Sequence, residues 1–128
     1  MSYLETPVTT RFSWYIRLLF WLQRRRYGRE LAPARLWGCT PRVFLAMAAM
    51  YAALDRKSSP LAAALRSLIQ VRVSQINWCS FCVDLNASTC LERGISEAKL
   101  AALPQFAEST LFDEREKAVL HYAEAMTD

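Results

Sequence analysis

Two cysteines spaced as C-x-x-C sit where one helical pattern stops and another starts, and this junction limits what the chain can fold into. The stretch from Arg66 to Gly94 reads R-S-L-I-Q-V-R-V-S-Q-I-N-W-C-S-F-C-V-D-L-N-A-S-T-C-L-E-R-G. Before the junction, Leu61, Leu65, Leu68, Ile69, Val73 and Ile76 repeat at helical spacing and predict a helix over about 61–76. After it, a second helix is expected from Cys79 to Gly94, a residue suited to ending a helix. Residues three apart on a helix share a face, with Cβ atoms roughly 5–6 Å apart. A disulfide brings them to about 3.8 Å. A helix starting at Cys79 therefore accommodates Cys79 and Cys82 either as thiols or as a bridge.

The unpaired N–H groups of such a helix start favour a thiolate and lower its pKa from the free value of about 8.5. At that free value roughly 3% of a thiol is ionised at pH 7. Two other readings compete. Buried cysteines often serve only as core. A zinc site needs two further ligands. Cys39, Cys90 and His121 are the other Cys and His residues, and they form no second paired motif. Cys90 lies eight residues past Cys82, about 12 Å along a helix, and is expected in the core.

The segment V-R-V-S-Q-I-N-W-C-S-F-C-V-D-L-N resembles the carboxymuconolactone decarboxylase-like superfamily, in its alkylhydroperoxidase D-like branch. The similarity runs from about Pro41 to the end. That branch carries a Glu, eleven residues, C-x-x-C, three residues, then His. The corresponding positions hold Ser67, Cys79, Cys82 and Asn86. The resemblance implies an all-α, homo-oligomeric fold, often a trimer or hexamer. It implies peroxide reduction with Cys82 as the reactive sulfur and Cys79 resolving it. It also implies a thiol reductant such as a lipoyl domain or thioredoxin-like protein, and neither metal nor organic cofactor. Asn86 can hydrogen-bond a sulfur, but neither it nor Ser67 can act as a base near neutral pH. The alternatives are an inactive homologue serving assembly or membrane-surface binding, and a carboxymuconolactone-type lyase. Gln75 and Asn77 are candidates for shaping the thiol turn, and His121 for carrying a proton.

A chain of 128 residues with three glycines, rich in Ala, Leu, Arg, Glu and Met, is expected to be all-α. The expected division is an N-terminal arm and apolar, basic helix over 1–40, then a helical core over 41–128. The resemblance also implies further helical sequence beyond Asp128, so the core reads as a natural short form, a fragment or a product truncated at its C-terminal end. Residues 1–10 read as an extended arm without the apolar run of a signal peptide, and a cytoplasmic location is expected.

Arg11–Leu22 is apolar nearly all round the helical wheel but too short to span a bilayer. Arg24, Arg25 and Arg26 follow it. Packing against another subunit is the first expectation, and contact with a membrane surface through residues 11–29 the second. Residues 1–60 carry ten Lys/Arg against three acids, and residues 61–128 six against nine. The basic half is expected to meet the acidic half of a neighbouring subunit; no nucleic-acid motif is present.

Tyr27–Gly38 reads as a connector. Thr40-Pro41 starts a helix to about Asp55, with Val43, Phe44, Met47, Met50, Tyr51 and Leu54 facing the core. Ser59-Pro60 repeats the cap signal. Arg72, near a buried run, is expected to pair with an acid. Ser96 caps a short helix ending before Pro104, Gln105–Leu111 is a loop, and Asp113 with Glu116 forms a capping box for the last helix.

Overall fold

The structure, a computed structural model, describes residues 11–127; the expected arm over 1–10 lies outside them. Among the described residues every regular element is helical. The chain forms two compact units, Met1–Leu54 and Asp55–Asp128.

The described part of the first unit contains α1 (Trp14–Tyr27), α2 (Ala32–Gly38) and α3 (Pro41–Leu54). Ile16, Phe20, Ala34 and Phe44 form its core, with the Phe20 ring edge-on to Phe12 and Phe44. The expected connector over Tyr27–Gly38 contains a helix instead. Pro33 lies in the first turn of α2, where its missing N–H costs nothing. Gly38 is the last residue of α2, and a Cβ there would stand 2.8 Å from the Phe20 ring. Both residues read as breakers in the sequence, but one starts a helix and the other admits a close contact.

The expected apolar stripe of α3 is present in sequence but reaches the core only at Phe44. Only Phe44 is buried, whereas Val43, Met50, Tyr51 and Leu54 are exposed. Helix α1 has the same two-sided character. Ile16 and Phe20 are buried, while Trp14, Leu18, Trp21 and Leu22 form an exposed stripe on the other side. No described helix is long and apolar enough to cross a membrane.

The second unit contains α4 (Ala63–Ile76), α5 (Ser80–Glu92), α6 (Glu97–Ala101), a 3₁₀ turn at Leu103–Gln105 and α7 (Glu114–Thr127). Helix α4 packs against both α5 and α7. Leu68, Val71, Cys90, Leu103, Phe106, Phe112 and Leu120 make the core. Arg72 pairs with Glu124 within the unit, its Nε donating at 2.6 Å, and so ties α4 to α7. The Lys99 ammonium is 2.7 Å from both Glu116 oxygens and lies over the Phe112 ring. Asp55 accepts from Arg66 with one oxygen and from Arg93 with the other.

Most caps follow the sequence. Ser96 Oγ accepts from the Lys99 amide. The Glu116 amide donates to Asp113 Oδ1 at 2.8 Å, and the Asp113 amide donates to Glu116 Oε2 at 3.0 Å. Gly94, at φ 85°, ends α5 with the paired Schellman bonds, Ile95 N to Cys90 O and Gly94 N to Leu91 O. The start of α4 differs from expectation. Its first residue is Ala63 and its cap position is Ala62. Ser59 Oγ instead accepts from the Leu61 amide, closing a local turn before the helix begins.

Replacing Asp113 with Ala removes one half of the capping box and is expected to lower stability by about 1 kcal/mol in urea unfolding. A second expectation concerns acid. Hydrogen bonding to Arg93, with a smaller part from Arg66, holds the Asp55 carboxyl below its ordinary value of 3.8. Its contribution is therefore present above that value and lost as pH falls through the depressed folded one. The stability gap between the native chain and Asp55→Asn should hold at neutral pH and close in acid; a gap independent of pH would contradict this.

Candidate active site: the Cys79–Cys82 pair

Helix α4 ends at Ile76 and α5 begins at Ser80, so the chain reverses within three residues. Asn77 closes α4 twice on one carbonyl: its backbone N–H and its side-chain Nδ2 both donate to Val73 O. Trp78 then takes φ 55°, the left-handed region, with its amide on Gln75 O. The Cys79 amide reaches back to Ser74 O at 3.0 Å. Cys79 thereby becomes the N-cap of α5, and its Sγ accepts the Cys82 amide at 3.3 Å. A sulfur takes the place usually held by a Ser, Thr, Asp or Asn oxygen.

Cys79 and Cys82 are joined by a disulfide with their Cα atoms 5.2 Å apart. Both residues are half-buried. Phe81, between them in sequence, is half-buried, and Trp78 is 94% exposed.

The two other positions named by the family pattern are not brought to one place. Ser67 is fully buried, donates to Ala63 O, and accepts from Arg93 Nη1 at 2.8 Å. It lies against Cys90. Burial pushes the Cys90 thiol up to about 11, against the lowering effects of the Arg93 charge and the Ser67 hydrogen bond. Asn86 instead donates through Nδ2 to Ser74 Oγ at 3.1 Å, and the Ser74 hydroxyl donates in turn to Gln70 O at 2.6 Å. Ser67 thus serves the C-terminal end of α5, and Asn86 is tied two turns further along α4.

Of the remaining sequence candidates, Gln75 accepts from Arg72 Nη1 with its side chain and from Trp78 with its backbone. His121 is 59% exposed, edge-on to Phe106, with Nδ1 3.9 Å from Glu124. Ser74 and Arg93 were not singled out in the sequence. A buried Ser in an otherwise apolar helix face was the available sign for the first; no local sign marked the second, which acts across 26 residues.

Among the described residues no group of three or more His, Cys, Asp or Glu is placed to hold a metal ion. A cavity of about 730 Å³ lies in the first unit, lined by Arg11, Arg17, Arg24 and Arg35 with Phe20 and Trp21 among its walls; neither cysteine of the pair lines it.

The chain is 39% identical over 119 residues to YnjA, an uncharacterized protein of Escherichia coli, covering 93% of this chain and 65% of that protein. It is 35% identical over 71 residues to YdfG, an uncharacterized protein of Bacillus subtilis, covering 56% of this chain and 48% of that protein. The chain therefore spans less than two thirds of the length of either relative. No solved structure gives a significant match. The model of the Carboxymuconolactone decarboxylase family matches residues 41–125, a span that includes the whole of the Cys79–Cys82 turn and both helices flanking it. The chain belongs to the carboxymuconolactone decarboxylase family.

Proposed function

We propose that the protein is a thiol–disulfide oxidoreductase of the alkylhydroperoxidase-like kind, working through Cys79 and Cys82. The observation that carries this reading is the placement of the pair at the first turn of α5, bridged and only half-buried. The cap geometry supports reversibility, because a reduced Cys79 keeps the Cys82 amide as a hydrogen-bond donor.

In the proposed cycle, the Cys82 thiolate attacks the O–O bond of a hydroperoxide. A sulfenic acid forms and the alcohol leaves. Cys79 displaces the hydroxyl as water and closes the disulfide. A dithiol partner, such as a lipoyl or thioredoxin-like protein, returns two electrons and two protons. Ser67 is held by the Arg93 guanidinium and Asn86 by the Ser74 hydroxyl, and neither side chain supplies a base near neutral pH. Proton movement then falls to solvent, so peroxide turnover is expected to be slow compared with thiol–disulfide exchange. The same lack of an acid–base pair disfavours lyase chemistry.

The exposed stripes of α1 and α3 support a further part of the reading, a homo-oligomer in which a second copy covers them. They also favour the second functional reading, a family member whose helices serve assembly or a membrane surface without turnover. Arg17, Arg24 and Arg25 beside Trp14, Leu18 and Trp21 suit an anionic surface.

Reduced protein treated with cumene hydroperoxide should regain the Cys79–Cys82 bridge by mass spectrometry, and dihydrolipoamide should reopen it. Cys90, with its thiol near 11, should remain unlabelled until the chain unfolds. Free, unmodified thiols at 79 and 82 after long exposure would favour the non-enzymatic reading. His121→Gln should leave the peroxide rate unchanged, because its ring is engaged with Phe106 and Glu124; a clear fall would restore His121 as a proton carrier.

A further inference from the structure

Trp78 combines three features that the fold itself does not require. It is the non-glycine residue with positive φ among the described residues, at 55°, where a bulky side chain is strained. It is 94% exposed, so its indole gains almost nothing from burial in its own unit. It also immediately precedes Cys79, one half of the disulfide.

The turn is held by backbone atoms: Trp78 N on Gln75 O, and Cys79 N on Ser74 O. A glycine would satisfy both bonds and remove the strain. The indole therefore does not hold this turn together, and strained residues of this kind concentrate at functional sites.

The surroundings define what the indole can receive. From Val73 to Val83 the sequence contains no charged residue. The nearest cation along the chain, Arg72, is taken up by Glu124 and Gln75. An exposed aromatic plane in an uncharged segment suits a hydrocarbon chain better than a charged peptide.

Building on the redox reading, we infer that Trp78 is the recognition residue of the dithiol site. Its indole receives the uncharged hydrocarbon arm of a dithiol reductant and lays that arm beside the Cys79–Cys82 bond. One thiolate of the reductant attacks one sulfur of the bond, forming a mixed disulfide and releasing the other cysteine as a thiolate, which takes a proton from solvent. The second thiol of the reductant loses its proton to solvent and displaces the remaining protein sulfur, which is protonated in turn. The reductant closes its own disulfide, and two electrons and two protons have passed to the protein.

The test compares reduction of the oxidised full chain by dihydrolipoamide, which carries a hydrocarbon arm, and by dithiothreitol, which does not. Trp78→Gly should slow the dihydrolipoamide reaction by roughly threefold to tenfold, the range expected for loss of one aromatic contact. The dithiothreitol rate should stay the same, and Trp78→Phe should recover most of the loss. Trp78→Gly should also unfold at a higher urea concentration than Trp78→Ala, since only glycine relieves the left-handed backbone. Equal rates for Trp78→Gly and the native chain with dihydrolipoamide, or an equal fall with both dithiols, would overturn the recognition role. A native disulfide that neither dithiol opens would overturn the redox reading itself, and this inference with it.

Discussion

The reversal between α4 and α5 is the constraint on which the second unit depends. Three residues, Asn77, Trp78 and Cys79, turn the chain back on itself. The turn works because Val73, Ser74 and Gln75 at the end of α4 lend their carbonyls to the residues that follow. Those carbonyls would otherwise be unsatisfied at a helix end. Closing them on the incoming chain brings α5 back alongside α4 and fixes where Cys79 stands. Core residues on both helices, Leu68 and Val71 on one and Cys90 on the other, then meet in a single cluster.

Polar contacts lock the far end of the same hairpin. Arg93, at the C-cap of α5, reaches Ala63 O, Ser67 Oγ and Asp55. Asp55 in turn holds Arg66, so two arginines share one carboxylate and each stays solvated on part of its surface. Ser67, where the resemblance to the alkylhydroperoxidase D-like branch implies a glutamate, belongs to this cluster. Its hydroxyl accepts directly from the Arg93 cation. The Cys79–Cys82 turn and the arginine cluster lie at opposite ends of one helical hairpin.

Much of this was legible in the chain. Helical spacing located α3, α4, α5 and α7, and the Asp113–Glu116 and Ser96 caps marked the starts of α7 and α6 because these bonds are local. Gly94 marked a helix end for the same reason: a left-handed residue is easily read as glycine. The left-handed residue at the dithiol turn was not readable, because it is a tryptophan. Helix α2 was missed since Pro33 and Gly38 signal breaks to any local reading, and the Phe20 and Phe12 rings beside Gly38 explain the glycine. The stripe on α3 was read as core because periodicity reports that a face is apolar, not what lies opposite it. Of the site, the two cysteines were evident from spacing. The partners of Ser67 and Asn86 were not, since Arg93 and Ser74 meet them only through tertiary packing.

Capping a helix with sulfur rather than oxygen gives α5 a start whose electrical character changes with oxidation. In the bridged form the acceptor is a neutral, weakly basic divalent sulfur. Once the bridge opens, the same atom can carry a full negative charge, placed at the positive end of the helix dipole. Under the proposed redox cycle, an ionised Cys79 deepens the electrostatic well in which the first turn of α5 sits, and the bridged form leaves it shallower. In the proposed cycle Cys82 attacks and Cys79 is the capping sulfur, so the helix start stabilises charge on the resolving cysteine.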